Sequence, residues 1–127
     1  MSHVLDWYTP HQVMYLHVFD NPSQEELQAI NDEVLNALDH LNTPVGLVLD
    51  VTGLSTGYMT AYRLRNTQLY MNDNRLERAY IVAEDKLNRL ITLIAFNIAR
   101  VPFVQFDNFD KAEMHLSKRG YASVLGR

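Results

Sequence analysis

Hydrophobic and polar positions follow a helical spacing in four segments of the chain. From Ser23 to about Leu41, apolar residues recur every three or four positions with polar residues opposite, which predicts an amphipathic helix. Ser23 followed by Glu26 at the third position predicts a capping box at its start. The other predicted helices cover residues 59–71, residues 84–100, and a last segment that starts at Asp107 or Asn108 and ends at Gly120.

Strands are predicted where the apolar residues run unbroken or where β-branched and aromatic residues cluster. Residues 45–51 are apolar up to an aspartate near the end, as in a strand covered on both faces of a parallel sheet. The other predicted strands are residues 3–8, 12–19, 77–83 and 102–106, of which the first two form an N-terminal hairpin. The order β-β-α-β-α-β-α-β-α predicts an α/β domain over residues 1–120 with a mostly parallel sheet, followed by a C-terminal tail, residues 121–127.

Length and composition limit the class of protein. The 127 residues, 47% of them hydrophobic, make one domain that needs no disulfide or metal to fold. No cysteine is present, so disulfide frameworks and thiolate metal sites are excluded. A net charge of -4 argues against nucleic acid as the main partner. The N-terminus does not resemble a signal peptide, and residues 84–100 are too short and interrupted to span a membrane, so we expect a cytoplasmic protein.

Three stretches of the chain are similar to parts of one family. The most specific is residues 47–55, which read LVLDVTGLS and resemble the buried strand and aspartate-containing turn of STAS domains. Residues 13–19 with the helix that follows resemble the entry hairpin and first helix of that family, and residues 101–116 resemble its closing strand and short helix. The chain most resembles the divergent stand-alone bacterial members called anti-sigma-antagonist-like. This resemblance implies a STAS fold and a regulatory protein partner.

The resemblance also directs attention to the loop before the second helix. Classical STAS domains carry an aspartate–serine pair there, and a kinase-like anti-sigma factor phosphorylates the serine. The corresponding positions here hold Tyr58 and Met59, so the usual acceptor is absent. Thr60 is one alternative acceptor, and Ser55 or Thr56 is another if the loop shifts register. Hydroxyl groups before a helix also cap its free N–H groups, and we favour this interpretation.

Acidic residues follow several predicted strands, at the rim where open α/β sheets bind ligands. Asp50 and Asp107 at this rim are compatible with a cation site or a general base. Aspartate is also a common turn residue, and we favour the interpretation that these two residues organise turns. The five histidines lack metal-ligand spacing, and the chain has neither a nucleophile elbow nor a phosphate-binding loop. We therefore expect no enzymatic activity, no metal and no cofactor.

The helix over residues 84–100 is apolar nearly all round, which indicates burial on two sides. One side is predicted to cover the sheet, formed by Leu87, Leu90, Ile91, Ile94 and Ile98. Leu93 and Phe96 are then predicted to contact a second subunit or a lipophilic ligand.

Further contact surfaces are predicted on the second helix and on the sheet. Tyr62 and Arg63 have the composition of a protein-recognition surface. A sheet face carrying Tyr15 and His17 would add an exposed aromatic surface if no helix covers it. The sequence thus predicts a non-catalytic STAS-like regulatory or protein-interaction domain that forms a homodimer. The alternative is a small carrier or sensor for a lipophilic molecule.

Overall fold

A computed structural model describes residues 2–125 of the chain. The sheet has five strands in the order β1-β2-β3-β4-β5. The strands are β1 (His3–Thr9), β2 (Val13–Val18), β3 (Val45–Asp50), β4 (Leu76–Val82) and β5 (Phe103–Phe106). The helices are α1 (Gln24–Asp39), α2 (Ala61–Thr67), α3 (Lys86–Asn97) and α4 (Phe109–Lys118). β1 is antiparallel to β2 and the other pairs are parallel, so the predicted α/β order and N-terminal hairpin are confirmed.

The sheet separates two hydrophobic cores. Met14, Leu16 and Val18 of β2 pack on the side covered by α1, α2 and α3. Val13 and Tyr15 of the same strand pack on the other side, which α4 covers. All six residues of β3 are buried, as the unbroken apolar run predicts.

The second core corrects one sequence expectation. Tyr15 and Tyr80 are 6% and 2% exposed, because Phe109 and Leu116 of α4 pack over them. The sheet therefore has no free aromatic surface at these two residues. The aromatic pattern of β2 could not show this, because α4 lies about 100 positions further along the chain.

The start of α1 is tied to the edge strand. Ser23 is the N-cap residue and its hydroxyl accepts a hydrogen bond from the Glu26 N–H, as predicted. The Glu26 carboxylate, predicted to return to the cap, instead accepts hydrogen bonds from the Ser2 N–H at 2.7 Å and from Nδ1 of His3 at 2.8 Å. Contacts from Ser2 and His3 lower the pKa of Glu26 to about 2. His3 also bonds Glu33 through Nε2 at 2.6 Å. Burial opposes the charge on its ring, but the two glutamates outweigh it and raise the pKa of His3.

The second helix and the last strand differ from what the sequence predicts. The second helix ends at Thr67, because Gln68 leaves the helical backbone region, and a 3-10 turn follows at Leu69–Asn72. The buried Gln68 side chain donates to the Leu27 carbonyl of α1, which anchors this break. The last strand, predicted over residues 102–106, spans Phe103–Phe106 and is half-buried because it forms an edge of the sheet.

The predicted C-terminal tail lies partly against the domain. Tyr121 and Leu125 pack on the second core, and the Val124 N–H donates to the Tyr8 carbonyl at 2.8 Å. Positions 126–127 lie outside the described residues. Over residues 2–125, no helix is both long and apolar enough to cross a membrane.

Candidate functional site

Helix α3 turns most of its apolar residues away from the domain. Four of them, together with the C-cap residue Ile98, are 36–58% exposed and form what we call the outer α3 face: Leu87, Leu90, Leu93, Ile94 and Ile98. Four other residues of the helix are buried against the domain: Asn88, Thr92, Ala95 and Phe96. The buried side of this helix is thus half polar, while its exposed side is rich in leucine and isoleucine.

The sequence prediction for this helix is therefore wrong on its orientation. Leu87 and Leu90, predicted to cover the sheet, are about half exposed, whereas Phe96, predicted as an interface residue, is 2% exposed. The Phe96 ring packs against the ring of Phe103 on β5, with centroids 5.6 Å apart. Leu93 is exposed, in agreement with its predicted outward position.

Hydrogen bonds explain how polar residues occupy the inner side of α3. The Asn88 side chain accepts from the Gly57 N–H at 2.9 Å and donates to the carbonyls of Leu54 and Ser55. The Thr92 hydroxyl accepts from the side-chain amide of Gln105 on β5 at 2.7 Å. Because a buried polar group without a partner is costly, these contacts are what allow α3 to pack on this side. They also leave the outer α3 face partly exposed.

The loop between β3 and α2 contains the hydroxyl groups considered as phosphoacceptors. Ser55, Thr56 and Thr60 are all exposed. The Ser55 N–H donates to Asn21 at 2.9 Å, and its hydroxyl accepts from the Asn21 amide at 2.8 Å. The Thr56 hydroxyl donates to Asp85, the N-cap residue of α3, at 2.7 Å. Thr60 is the N-cap residue of α2, as the capping interpretation predicts. Each of the three hydroxyls thus has a structural contact.

The charge near Thr56 disfavours a phosphate there. Hydrogen bonds from Thr56 and from the backbone of Asn88 lower the pKa of Asp85, so its carboxylate is anionic at neutral pH. A phosphate on Thr56 would bring a second anion against that carboxylate. Arg63, by contrast, lies one helical turn after the Thr60 cap, and its N–H donates to the Thr60 hydroxyl at 3.0 Å.

Asp50 and Asp107 lie at the carboxyl ends of β3 and β5, with β4 between them. Asp50 is 2% exposed, and its carboxylate accepts from the Tyr15 hydroxyl at 2.8 Å and from the N–H and hydroxyl of Thr52. Asp107 is exposed and pairs with Lys111 at 2.9 Å, which lowers its pKa. In residues 2–125, no three His, Asp or Glu side chains lie close enough together to hold a metal ion.

Asn21 and Asn88 were missed by sequence reasoning, although they organise the β3–α2 loop. Their partners lie more than 30 positions away in the chain, so periodicity carries no signal for these contacts. The two residues predicted on α2 differ in accessibility. Tyr62 is 75% exposed, whereas Arg63 lies over the ring of Tyr58, with its guanidinium carbon 5.4 Å from the ring centroid.

An apolar cavity of about 30 Å³ lies between the sheet and helices α1, α2 and α3. Its walls include Leu27, Leu49, Met59, Leu64 and Ile91. A cavity of this volume has room for about one or two water-sized molecules. A lipid-sized molecule would therefore need the helices to separate.

The comparisons with known proteins identify the fold. An uncharacterized protein of the DUF3478 family from Shewanella loihica PV-4, described as having a SpoIIAA-like fold, matches with a TM-score of 0.62 and 17% sequence identity. The match covers 91% of this chain and 92% of that chain. No protein-family model matches the sequence, and no curated protein matches it. The likeness confirms the SpoIIAA-like fold that the STAS resemblance implied.

Proposed function

With a SpoIIAA-like fold as the premise, we propose that the chain is a non-catalytic regulatory domain of the STAS type that acts through protein contacts and assembles as a homodimer. The observation that carries this proposal is the outer α3 face. We place the protein in the bacterial cytoplasm, in keeping with its lack of cysteine and its acidic composition.

The outer α3 face keeps much of its apolar surface in water. Helices of globular proteins normally turn their apolar stripe towards the core. Here the core side is formed by Phe96, Ala95 and two hydrogen-bonded polar residues, while the leucines of the other side are 36–49% exposed. Large exposed apolar patches mark interaction surfaces more often than chance. A partner that covers this helix would remove the apolar surface from water.

The strand-end rim supports a non-catalytic function. Asp50 is buried and its carboxylate is occupied by Tyr15 and Thr52. A general base must reach the proton of a substrate, which a carboxylate in this position does not. Asp107 is exposed but paired with Lys111. Thr60 caps α2, and the Thr56 hydroxyl donates to Asp85, the N-cap residue of α3, so we propose that signalling does not depend on phosphorylation of either threonine.

Sedimentation velocity at two protein concentrations tests the homodimer. We expect a dimer at high concentration that dissociates on dilution, with the free energy of unfolding also rising with concentration. Native mass spectrometry of protein from its own source adds a second test. A monomer at every concentration would contradict the homodimer, and an added phosphate would contradict the absence of a phosphorylation switch.

The apolar cavity favours a second candidate function, a carrier or sensor for a lipophilic molecule. Its small volume is why we rank this function below protein docking. A ligand would have to part α2 from α3, opening the cavity between Met59, Leu64 and Ile91. A bound small molecule in the native mass spectrum would favour this second function, whereas a dimer without added mass favours the first.

A further inference from the structure

We propose that the second copy packs its α3 against α3 of the first in an antiparallel pair, related by a two-fold axis near the middle of the helix. This inference rests on the proposed homodimer and specifies its geometry. The outer α3 face is the contact surface.

The apolar positions of α3 suit such an axis. Leu87 and Ile98 lie near the two ends of the helix, and Leu90 and Ile94 lie on either side of its centre. In an antiparallel pair, Leu87 therefore meets the partner's Ile98 and Leu90 meets the partner's Ile94. A two-fold axis makes each of these contacts twice, so one short helix supplies a continuous apolar seam.

Charges near the ends of α3 distinguish the antiparallel from the parallel arrangement. Glu84 and Asp85 precede the helix, and Arg100 follows it. The antiparallel pair brings the acidic end of one helix beside the partner's Arg100, and does so at both ends. A parallel pair would place like charges together. Among residues 2–125, the Arg100 side chain has no ion pair of its own, so it is available for this contact.

The available area matches an interface between two copies of the chain. A standard interface takes about 10% of a small protein's surface, which for this chain of 6712 Å² is about 670 Å². The five side chains of the outer α3 face are each between about one third and three fifths exposed, which amounts to on the order of 400 Å² of apolar surface. The patch thus provides a little over half of one partner's share, which is the usual apolar fraction of an interface, and polar residues around it would supply the rest. We expect a dimer that forms in solution and dissociates on dilution.

Cysteine cross-linking tests the geometry, because the chain contains no cysteine of its own. We would prepare L87C, I98C and the double variant L87C/I98C, and oxidise each at a concentration at which the wild type is dimeric. Positions 87 and 98 are about 16 Å apart along the helix, so they cannot form a bond within one chain. In the antiparallel dimer, identical positions are equally far apart, whereas position 87 faces position 98 of the partner.

The expected result is a covalent dimer from the double variant and from an equal mixture of the two single variants, but not from either single variant alone. M114C on the exposed side of α4 serves as the control for random collisions, since Met114 is 60% exposed. Adding L90K to the double variant is expected to abolish the cross-link. Circular dichroism and sedimentation of each reduced variant establish its fold and its oligomeric state.

The outcomes separate this geometry from the proposed function. Cross-links from both single variants would establish a parallel pair and overturn the antiparallel geometry, while the homodimer would stand. A dimer by sedimentation without any cross-link would overturn α3 pairing and indicate that another surface forms the dimer. A wild type that is monomeric at every concentration would overturn the homodimer itself.

Discussion

Replacement of Leu90 by lysine is expected to weaken the dimer by about 30-fold or more and to leave the fold intact. Leu90 lies at the middle of the outer α3 face and is 49% exposed, so about half of its side chain remains to be buried in a dimer. The substitution introduces an ammonium group at this position. It retains the helix, because leucine and lysine have similar helix propensities.

The magnitude follows from the burial that is lost. Full burial of a leucine side chain is worth about 1.5–3 kcal/mol, so the remaining half is worth about 1 kcal/mol. A two-fold dimer contains the residue twice, which gives about 2 kcal/mol, or about 30-fold in the dissociation constant. Desolvation of the lysine adds to this loss. In the monomer the aliphatic stem of lysine replaces the half of Leu90 that is already buried, so the free energy of unfolding should change by less than about 1 kcal/mol.

The assay combines sedimentation equilibrium with urea unfolding at a concentration where the wild type is monomeric. M114K on α4 is the matched surface control and should leave both quantities unchanged. F96A should behave in the opposite way, because truncating this buried ring costs about 3–5 kcal/mol of fold stability. An L90K protein that dimerises as tightly as the wild type would refute the assignment of the outer α3 face as the interface.

Further predictions concern the rim, the loop and the edge strand. Asp50→Ala should lower the free energy of unfolding in urea by about 3 kcal/mol, because it removes three hydrogen bonds inside the domain, whereas the exposed Asp107→Ala should cost less than about 1 kcal/mol. Asn88→Ala should cost about 2–3 kcal/mol, since it releases the β3–α2 loop from α3; an unchanged urea midpoint would contradict this role. Because the pKa of His3 is raised in the folded protein, its contribution to the free energy of unfolding is complete below pH 6.5 and is lost as the pH rises through the folded-state pKa. His3→Gln should therefore flatten the plot of the free energy of unfolding against pH in this range. The lowered pKa of Glu26 has the opposite effect: its contribution to the free energy of unfolding is present above pH 4.5 and is lost as the pH falls towards 2. Glu26→Gln should therefore reduce the loss of stability between pH 4.5 and pH 2.

Local patterns predicted those elements whose signals lie within a few neighbouring residues. Ser23 caps α1 as expected, because its hydroxyl and the Glu26 N–H that it accepts from lie only three positions apart in the chain. The apolar run of residues 45–51 predicted β3, because a strand that is covered on both faces needs apolar side chains at consecutive positions. Gly120, predicted at the end of α4, adopts a positive φ of 91°.

The candidate site was predicted only in part. Tyr62 and Leu93 are exposed as expected, and Thr60 caps α2. The orientation of α3 was wrong, because helical periodicity shows that a stripe exists but not whether the stripe faces the sheet. Phe96 faces inward because Phe103 lies beside it on β5, a contact between two elements that the pattern treats separately.

By itself, the sequence determined the order of the strands and helices, the α/β class and the caps, because these depend on spacing and on side chains close together in the chain. The tertiary structure alone decided which side of α3 is covered and how the β3–α2 loop is held. Both depend on Asn88, whose side chain reaches back more than 30 positions to bond the loop backbone. That polar contact turns the polar residues of α3 inward and leaves its leucines exposed.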